Sequence, residues 1–226
     1  MVYLKSMKKN KVLIIAAHPD DELLGVAGIL LNHIKAGDKV HILLLSDGET
    51  SRDKHNVGRR RKQAKKVALK LGAKSLHFED FPDNSFDSLP LLSIIKILEN
   101  YIFSIKPNIV YTHHLHDLNV DHRLTAQATL TACRPQPSFF VKKIYTFETS
   151  SSTEYQAKMS NYLFLPTFYC DITPVIKEKL KLLKIYKNEI QKAPHSRSFR
   201  GIIALAAYVD LKLAKILRSI STYKGN

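Results

Sequence analysis

The amino-acid sequence predicts an α/β protein in which a mainly parallel sheet is flanked by helices. Short apolar runs alternate with helix-like patterns through the first two thirds of the chain. This alternation is typical of strand–helix–strand units, whose strands run parallel. The chain has 226 residues, the length of one large domain, and we expect residues 1–226 to fold as a single domain.

The predicted elements follow one another from the N-terminus. An apolar run at 11–17 has the length of a buried strand, and residues 21–35 carry apolar side chains three and four positions apart, as on one face of a helix. Gly37 and Gly72 follow predicted helices as stop signals. The remaining elements are strands at 39–45, 75–78 and 109–112 and helices at 58–71, 88–105 and 122–133.

The pattern changes after Pro135 and Pro137, where we expect extra strands and helices. Strands are predicted at 143–147 and 164–171, and the Ser/Thr cluster at 149–153 between them is typical of a mobile surface loop. Two helices, at 174–192 and about 198–219, are predicted to complete the chain.

Composition narrows the class of protein. Hydrophobic residues make up 45% of the chain and charged residues 24%, which is usual for a soluble globular protein. The two cysteines, Cys133 and Cys170, have no partner at metal-site spacing, so a reducing, cytoplasmic setting is expected. Lys5 and Lys8 precede an apolar run as in a signal peptide, but that run is too short and leads directly into His18 and Asp20. The apolar runs are also far shorter than the roughly 18–20 residues of a membrane span.

The formal net charge is +15, which suits an anionic partner such as a nucleic acid, an acidic lipid or a phosphorylated sugar. A solvated basic surface is the simpler interpretation, because the lysines are spread along helical patterns and no RNA-binding signature is present. We therefore expect a small-molecule substrate, no specific nucleic acid and at most peripheral membrane association. An oligomer is compatible with the sequence.

Two polar clusters stand where parallel strands end. His18, Asp20 and Asp21 follow the first predicted strand, and a segment from His113 to His122 follows the strand at 109–112. Loops at the carboxyl ends of parallel strands open onto one edge of a sheet, so the two clusters can meet. Two imidazoles with a carboxylate suit zinc and leave a position open for water. The alternative is that an aspartate caps the following helix and His18 is incidental.

The residues that carry these clusters resemble a known family. The stretch AAHPDDELLGVAG is similar to the zinc-binding motif of the PIG-L/LmbE-like deacetylases, and the SDG, FPDN, DLNVDHR and YCDIT segments extend the resemblance over most of the chain. The resemblance implies a Rossmann-like fold and removal of an N-acetyl group from an amino sugar. By it, His18, Asp21 and His122 are metal ligands for zinc or another divalent cation such as iron, and Asp20 is the general base.

Further site residues are transferred from the same resemblance. Arg60 and Asp83 match positions that hold the sugar in relatives, and Asn119 stands where many relatives have a histidine that stabilises the tetrahedral intermediate. An amide can donate to an oxyanion but cannot act as a general acid. His116 is a candidate for the pocket mouth or for proton donation to the leaving amine.

Several alternatives remain open at this stage. His113, His114 or His116 can replace His122 as a ligand, and His195 fits a helix-capping turn as well as a substrate contact. The main competing function is a non-catalytic module that binds a sugar or nucleotide in the same pocket. Metal content and acetate release separate that module from an enzyme.

Overall fold

The structure is a computed structural model that describes residues 9–51, 58–159 and 161–208. Five strands form one sheet in the order β3-β2-β1-β4-β5, and every neighbouring pair is parallel. The strands are β1 (Lys11–Ala16), β2 (Lys39–Ser46), β3 (Ser75–Phe81), β4 (Ile109–His113) and β5 (Lys143–Phe147). The predicted parallel α/β fold is confirmed.

Helices cover both faces of the sheet. They are α1 (Asp21–Lys35), α2 (Arg59–Leu71), α3 (Leu91–Ile105), α4 (Val120–Ala132), α5 (Ile176–Leu183) and α6, which is helical over 199–208. Alternate residues of β1 enter two separate cores: Val12 and Ile14 pack with α1, α2 and α5, whereas Leu13 and Ile15 pack with α3 and α4. Burial on both faces explains why β1 has a continuous apolar sequence.

The order of the strands determines where a ligand site can form. The chain moves from β1 outward through β2 to β3, then returns to the other side of β1 to form β4 and β5. The connections after β1 and β4 therefore leave the sheet in opposite directions and open a crevice between the carboxyl ends of these two strands. In open α/β sheets this switch point is where ligands bind.

Most predicted elements lie within a few residues of the observed ones, but the C-terminal third differs. No strand forms over 164–171 in the described residues, so that part of the prediction is wrong; of the extra strands, only Lys143–Phe147 exists, as the parallel edge strand β5. Pro166 cannot donate a ladder hydrogen bond, and the segment contacts the sheet through side chains, as where Phe168 packs on Tyr145.

The two predicted C-terminal helices are also shorter than expected. The first is helical at 176–183 with single 3₁₀ turns before and after it, and residues 187–198 are irregular. The second begins near 199, and its predicted extension to 219 falls partly outside the described residues, as do Lys5 and Lys8. Within the part of the chain that is described, no helix is both long and apolar enough to cross a bilayer.

The expectation of a mobile surface loop at 149–153 is wrong. Thr149, Ser150, Ser152 and Thr153 are buried, and Ser152 and Thr153 donate their hydroxyl hydrogens to the carboxylate of Asp117. Hydroxyl groups that reach a buried carboxylate replace the water it has lost. This segment is therefore part of the interior next to the crevice.

Gly28 allows α1 to pack closely against the C-terminal third. A Cβ at this position would lie 2.8 Å from the Cβ of Ile172 and closer still to its Cγ2. Gly28→Ala should lower the free energy of unfolding by about 1–3 kcal/mol, the usual cost of overpacking. Urea denaturation of Gly28→Ala, Ile172→Ala and the double variant measures this effect. The double variant should recover part of the loss, and equal stability of Gly28→Ala and the wild type would contradict the close contact.

Candidate metal centre

The residues after β1 turn sharply into α1 and bring their polar side chains into the crevice. Asp20 has a φ of 119°, in the left-handed region that non-glycine residues rarely adopt, and its carbonyl accepts the amide hydrogens of Leu23 and Leu24. This strained turn costs roughly 1–3 kcal/mol, and such strain concentrates at functional sites. It places His18, Asp20 and Asp21 together, and all three are buried.

Three ligand atoms from the two loops face one another. Nδ1 of His18 lies 3.2 Å from Oδ2 of Asp21, and Nε2 of His122 lies 3.2 Å from the same oxygen. The two imidazole nitrogens are 3.3 Å apart. The structure thus brings together the three residues that the sequence suggested as metal ligands, although 104 positions separate His18 from His122.

This triangle fits a divalent cation. A tetrahedral zinc ion with ligand bonds of about 2.0–2.1 Å separates its ligand atoms by roughly 3.3 Å, close to the observed distances. For a cation to bind here, the lone pairs of both imidazoles must point into the triangle, so neither of these two nitrogens can then carry a proton. Two neutral imidazoles and one carboxylate are a donor set that suits zinc and also iron.

Each imidazole is oriented from behind by a buried carboxylate. Nε2 of His18 donates to Oδ2 of Asp121 at 2.9 Å, and Nδ1 of His122 donates to Oδ1 of Asp117 at 3.1 Å. These hydrogen bonds assign the tautomers and leave Nδ1 of His18 and Nε2 of His122 free to bind a metal. Carboxylate–histidine–metal triads of this kind raise the basicity of the ligand nitrogen.

The two supporting carboxylates have further partners. Asp121 accepts the amide hydrogens of Asn84 at 2.7 Å and Phe86 at 3.0 Å. Asp83 approaches the same nitrogen of His18 at 3.4 Å, so His18, Asp83 and Asp121 form a second cluster of possible ligands. Both oxygens of Asp121 already accept hydrogen bonds, so we assign this second cluster to the orientation of His18 and not to metal binding.

The charges of the centre shift the pKa values of its members. Burial alone would lower the pKa of His122, but Asp21 and Asp117 outweigh it and raise that pKa to about 10. Burial would raise the pKa of Asp21, but His122 and His113 outweigh it and hold that pKa well below its usual value. The pocket is therefore negative enough to favour a positive occupant, whether protons or a metal ion.

Asp20 is held beside the ligands by two arginines. Its Oδ1 lies 2.7 Å from Nη2 of Arg60, and its Oδ2 lies 3.3 Å from Nη1 of Arg197. Burial raises the pKa of Asp20, although both arginines oppose the rise. Arg60 also donates to the carbonyls of Gly48 and Pro19. Its guanidinium therefore fixes the turn and Asp20 where it lines the crevice.

The remaining predicted site residues, Asn119, His116 and Asp83, differ in their position relative to the crevice. Asn119 lines the crevice. Its Oδ1 caps α4 by accepting the amide hydrogens of Asp121 and His122. Its Nδ2 donates to Oδ1 of Asn84 at 3.3 Å. His116 stacks on Tyr162 and lies outside the residues that line the crevice. Asp83 is buried and accepts from the hydroxyl of Ser51.

The alternative ligands do not take the place of His122. Nε2 of His113 accepts the amide hydrogen of Ala17 at 3.0 Å, and burial and His122 lower the pKa of His113 to about 3. Its lone pair is thus occupied by the backbone of the first loop. His114 does not replace His122 either, because its Nε2 lies 3.1 Å from the carbonyl oxygen of Tyr162.

The crevice continues as a cleft of about 250 Å³ whose far wall comes from the C-terminal third. Ser151 and Ser152 line it, together with Glu189, Gln191, His195 and Arg197. Nε of Arg197 donates to the carbonyl of Ser150, which ties this wall to the segment after β5. Sequence reasoning gave no role at the site to Asp117, Asp121, Ser152 or Arg197. Asp117 and Asp121 stood inside the second polar cluster, whereas Ser152 was assigned to a surface loop.

Comparisons with known proteins find two deacetylases among the relatives of this chain. An uncharacterised deacetylase, YaiS, of Escherichia coli K12 is 30% identical over 155 residues, which are 66% of this chain and 80% of YaiS. A diacetylchitobiose deacetylase of Thermococcus kodakarensis is 27% identical over 192 residues, 80% of this chain and 70% of that protein.

Among solved structures, the 4-carboxy-2-hydroxymuconate hydratase GalB of Pseudomonas putida KT2440 superposes with a TM-score of 0.71 at 20% identity, covering 92% of this chain and 89% of GalB. That likeness concerns the fold alone, which therefore serves more than one reaction.

A family model supplies the decisive comparison, because it covers both loops of the metal centre. The model, PIG-L, described as GlcNAc-PI de-N-acetylase, matches residues 13–133, a span that includes His18, Asp21 and His122. The chain belongs to the PIG-L family.

Proposed function

We propose that this protein is a hydrolase that uses a divalent metal, zinc in the first instance, to remove the N-acetyl group from an amino sugar or its glycoconjugate. The observation that carries the proposal is the triangle of His18 Nδ1, Asp21 Oδ2 and His122 Nε2, with sides of 3.2–3.3 Å. Membership of the PIG-L family and the two deacetylase relatives support the reaction type.

A metal ion bound there supplies Lewis acidity, which polarises an amide carbonyl and makes water nucleophilic near neutral pH. Asp20 lies beside the ligands without belonging to them, so its carboxylate accepts the proton of the attacking water. The water oxygen joins the acetyl carbon, the C–N bond breaks, and the proton held by Asp20 passes to the amine nitrogen. Acetate and a free amino sugar leave.

Arg60 and Arg197 keep Asp20 in place for both proton transfers. Each holds a different oxygen of the carboxylate, at 2.7 Å and 3.3 Å. Because Arg60 is buried whereas Arg197 comes from the C-terminal wall of the cleft, Arg197 is the partner that a substrate can displace. Asn119 lines the cleft, and its Nδ2 donates one hydrogen to Asn84. The second hydrogen of this amide is the donor that we assign to the developing oxyanion.

The first test separates metal binding from proton transfer. Asp20→Asn should retain zinc and lower kcat at least about 100-fold, because general-base catalysis contributes about that much or more. His122→Ala should lose the metal, since one of three ligands is gone. Zinc content by mass spectrometry and acetate release from N-acetylated amino sugars measure both. Near-normal turnover by Asp20→Asn would exclude it as the base, and a wild-type protein that binds zinc without releasing acetate from any such sugar would favour a binding module.

A second test concerns the carboxylate behind His122. Asp117→Asn should weaken zinc binding about 10- to 100-fold, because the amide no longer fixes and polarises the imidazole. Asp87→Asn is the matched control, since Asp87 is exposed on a 3₁₀ turn. Competition with a fluorescent zinc chelator gives the affinities. Equal affinities of the two variants would show that Asp117 does not support the ligand.

The third test separates the two tasks of Asn119. Asn119→Ser preserves a side chain that can cap α4 but removes the amide donor. It should therefore leave zinc content and melting temperature close to wild type and lower kcat about 10- to 1000-fold, the range expected for losing an oxyanion donor. If kcat stays unchanged while Asn119→Ala melts at a lower temperature, the residue is only a cap.

A further inference from the structure

A groove lined by lysines runs between α2 and the segment at 181–187. Its volume is about 740 Å³. Lys62, Lys66 and Lys70 stand four residues apart on α2, and Lys181, Lys184 and Lys187 stand three apart on the opposite wall. Both spacings keep side chains on one face of a helical segment. The groove therefore has two facing rows of exposed cations.

Among the described residues, these charges have no ion-pair partner. No acidic side chain lines the groove, and within the described ranges none of the six lysines forms an ion pair. Arg59, at one end, is the exception and lies 3.4 Å from Glu49. Facing rows of like charge repel each other, and a bound polyanion would remove that repulsion.

The walls are joined, so the groove is a fixed feature of the fold. Nε2 of Gln63 on α2 donates to the carbonyl of Ile185 on the opposite wall at 2.8 Å. Leu182 and Ile185 form the floor between the rows. A surface of solvated lysines needs no such connection between its two sides.

The groove begins beside the metal cleft. Arg59 lines the groove and Arg60 lines the cleft; in the same way Lys187 belongs to the groove and Glu189 to the cleft. Nε of Arg60 lies 3.7 Å from Oε1 of Glu189, so the two chain segments that form the walls of the groove also approach each other at the cleft. The groove and the cleft have no lining residue in common, so a ligand that occupies both must extend past this pair.

We propose that the groove binds the anionic part of the substrate, a chain with several phosphate groups attached to the N-acetylated sugar in the cleft. This proposal rests on the proposed function. The row on α2 is about 12 Å long, which suits a flexible chain with successive charges. None of the described residues that line the groove is aromatic, so these residues offer nucleic-acid bases no ring to stack on, and the concave shape of the groove does not suit a flat bilayer.

A binding experiment tests the groove without relying on catalysis. The probe is a short inorganic polyphosphate titrated into the full zinc-loaded chain at increasing NaCl. Lys66→Glu/Lys184→Glu should weaken binding about tenfold or more, and the affinity of the wild type should fall with salt. Lys96→Glu/Lys142→Glu is the matched control: both lysines are exposed, lie outside the groove and change the net charge equally.

Three results would overturn the proposal. They are equal losses in the groove and control variants, markedly tighter binding of single-stranded DNA than of polyphosphate with the same number of charges, and markedly tighter binding of phosphatidylglycerol vesicles that displaces polyphosphate and is lost in the groove variant. The second would assign the groove to nucleic acid and the third to a membrane.

A kinetic experiment then links the groove to the substrate. Lys66→Glu/Lys184→Glu should raise KM about tenfold for an N-acetylglucosamine glycan with phosphodiester groups, leaving kcat and the KM of neutral diacetylchitobiose unchanged. Equal changes for both substrates would contradict the proposal. If the wild type releases acetate from neither, the proposed function fails, while the polyphosphate titration still reports on the groove.

Discussion

The structure of the centre depends on keeping several carboxylates out of water at one edge of the sheet. Asp21, Asp117 and Asp121 are almost completely buried. An isolated buried carboxylate is very costly, so each must be paired and hydrogen-bonded. Asp121 is stabilised by backbone amides and His18, and Asp117 by two hydroxyls and His122. Asp21 faces the two imidazoles, and its charge is what makes a cation the natural occupant of the triangle.

The arrangement of the sheet makes this concentration of charge possible. Only the switch point between β1 and β4 has connections that diverge, so only there can two loops converge without a helix covering them. The local sequence reflects this constraint: a strand buried on both faces is followed at once by acidic and imidazole side chains. That contrast is why the parallel fold and a polar site at this edge could be predicted from the sequence, whereas the choice of His18, Asp21 and His122 as ligands rested on the family resemblance.

The remaining parts of the site depend on contacts that leave no periodic pattern in the sequence. Ser152 and Thr153 have the composition of a surface loop, and only the presence of Asp117 more than 30 residues earlier explains their burial. The strand predicted over 164–171 has apolar residues but no neighbouring strand to pair with it. Arg60 matched a sugar-binding position, yet its partners, Asp20 and two carbonyls, are set by how α2 packs against the turn. Tertiary contacts outweighed local pattern in each case.

Different parts of the chain supply the candidate metal ligands and the walls of the cleft. Residues 13–133, which the family model covers, supply all three candidate ligands and both supporting carboxylates. The far wall of the cleft comes from residues 151–197, and one wall of the lysine-lined groove from residues 181–187. A chain built in this way can change its substrate by changing its last third while the metal centre stays the same. Arg197 connects the two parts, because it touches Asp20 on one side and the segment after β5 on the other. Binding of a ligand against the C-terminal wall would therefore act directly on the position of Asp20.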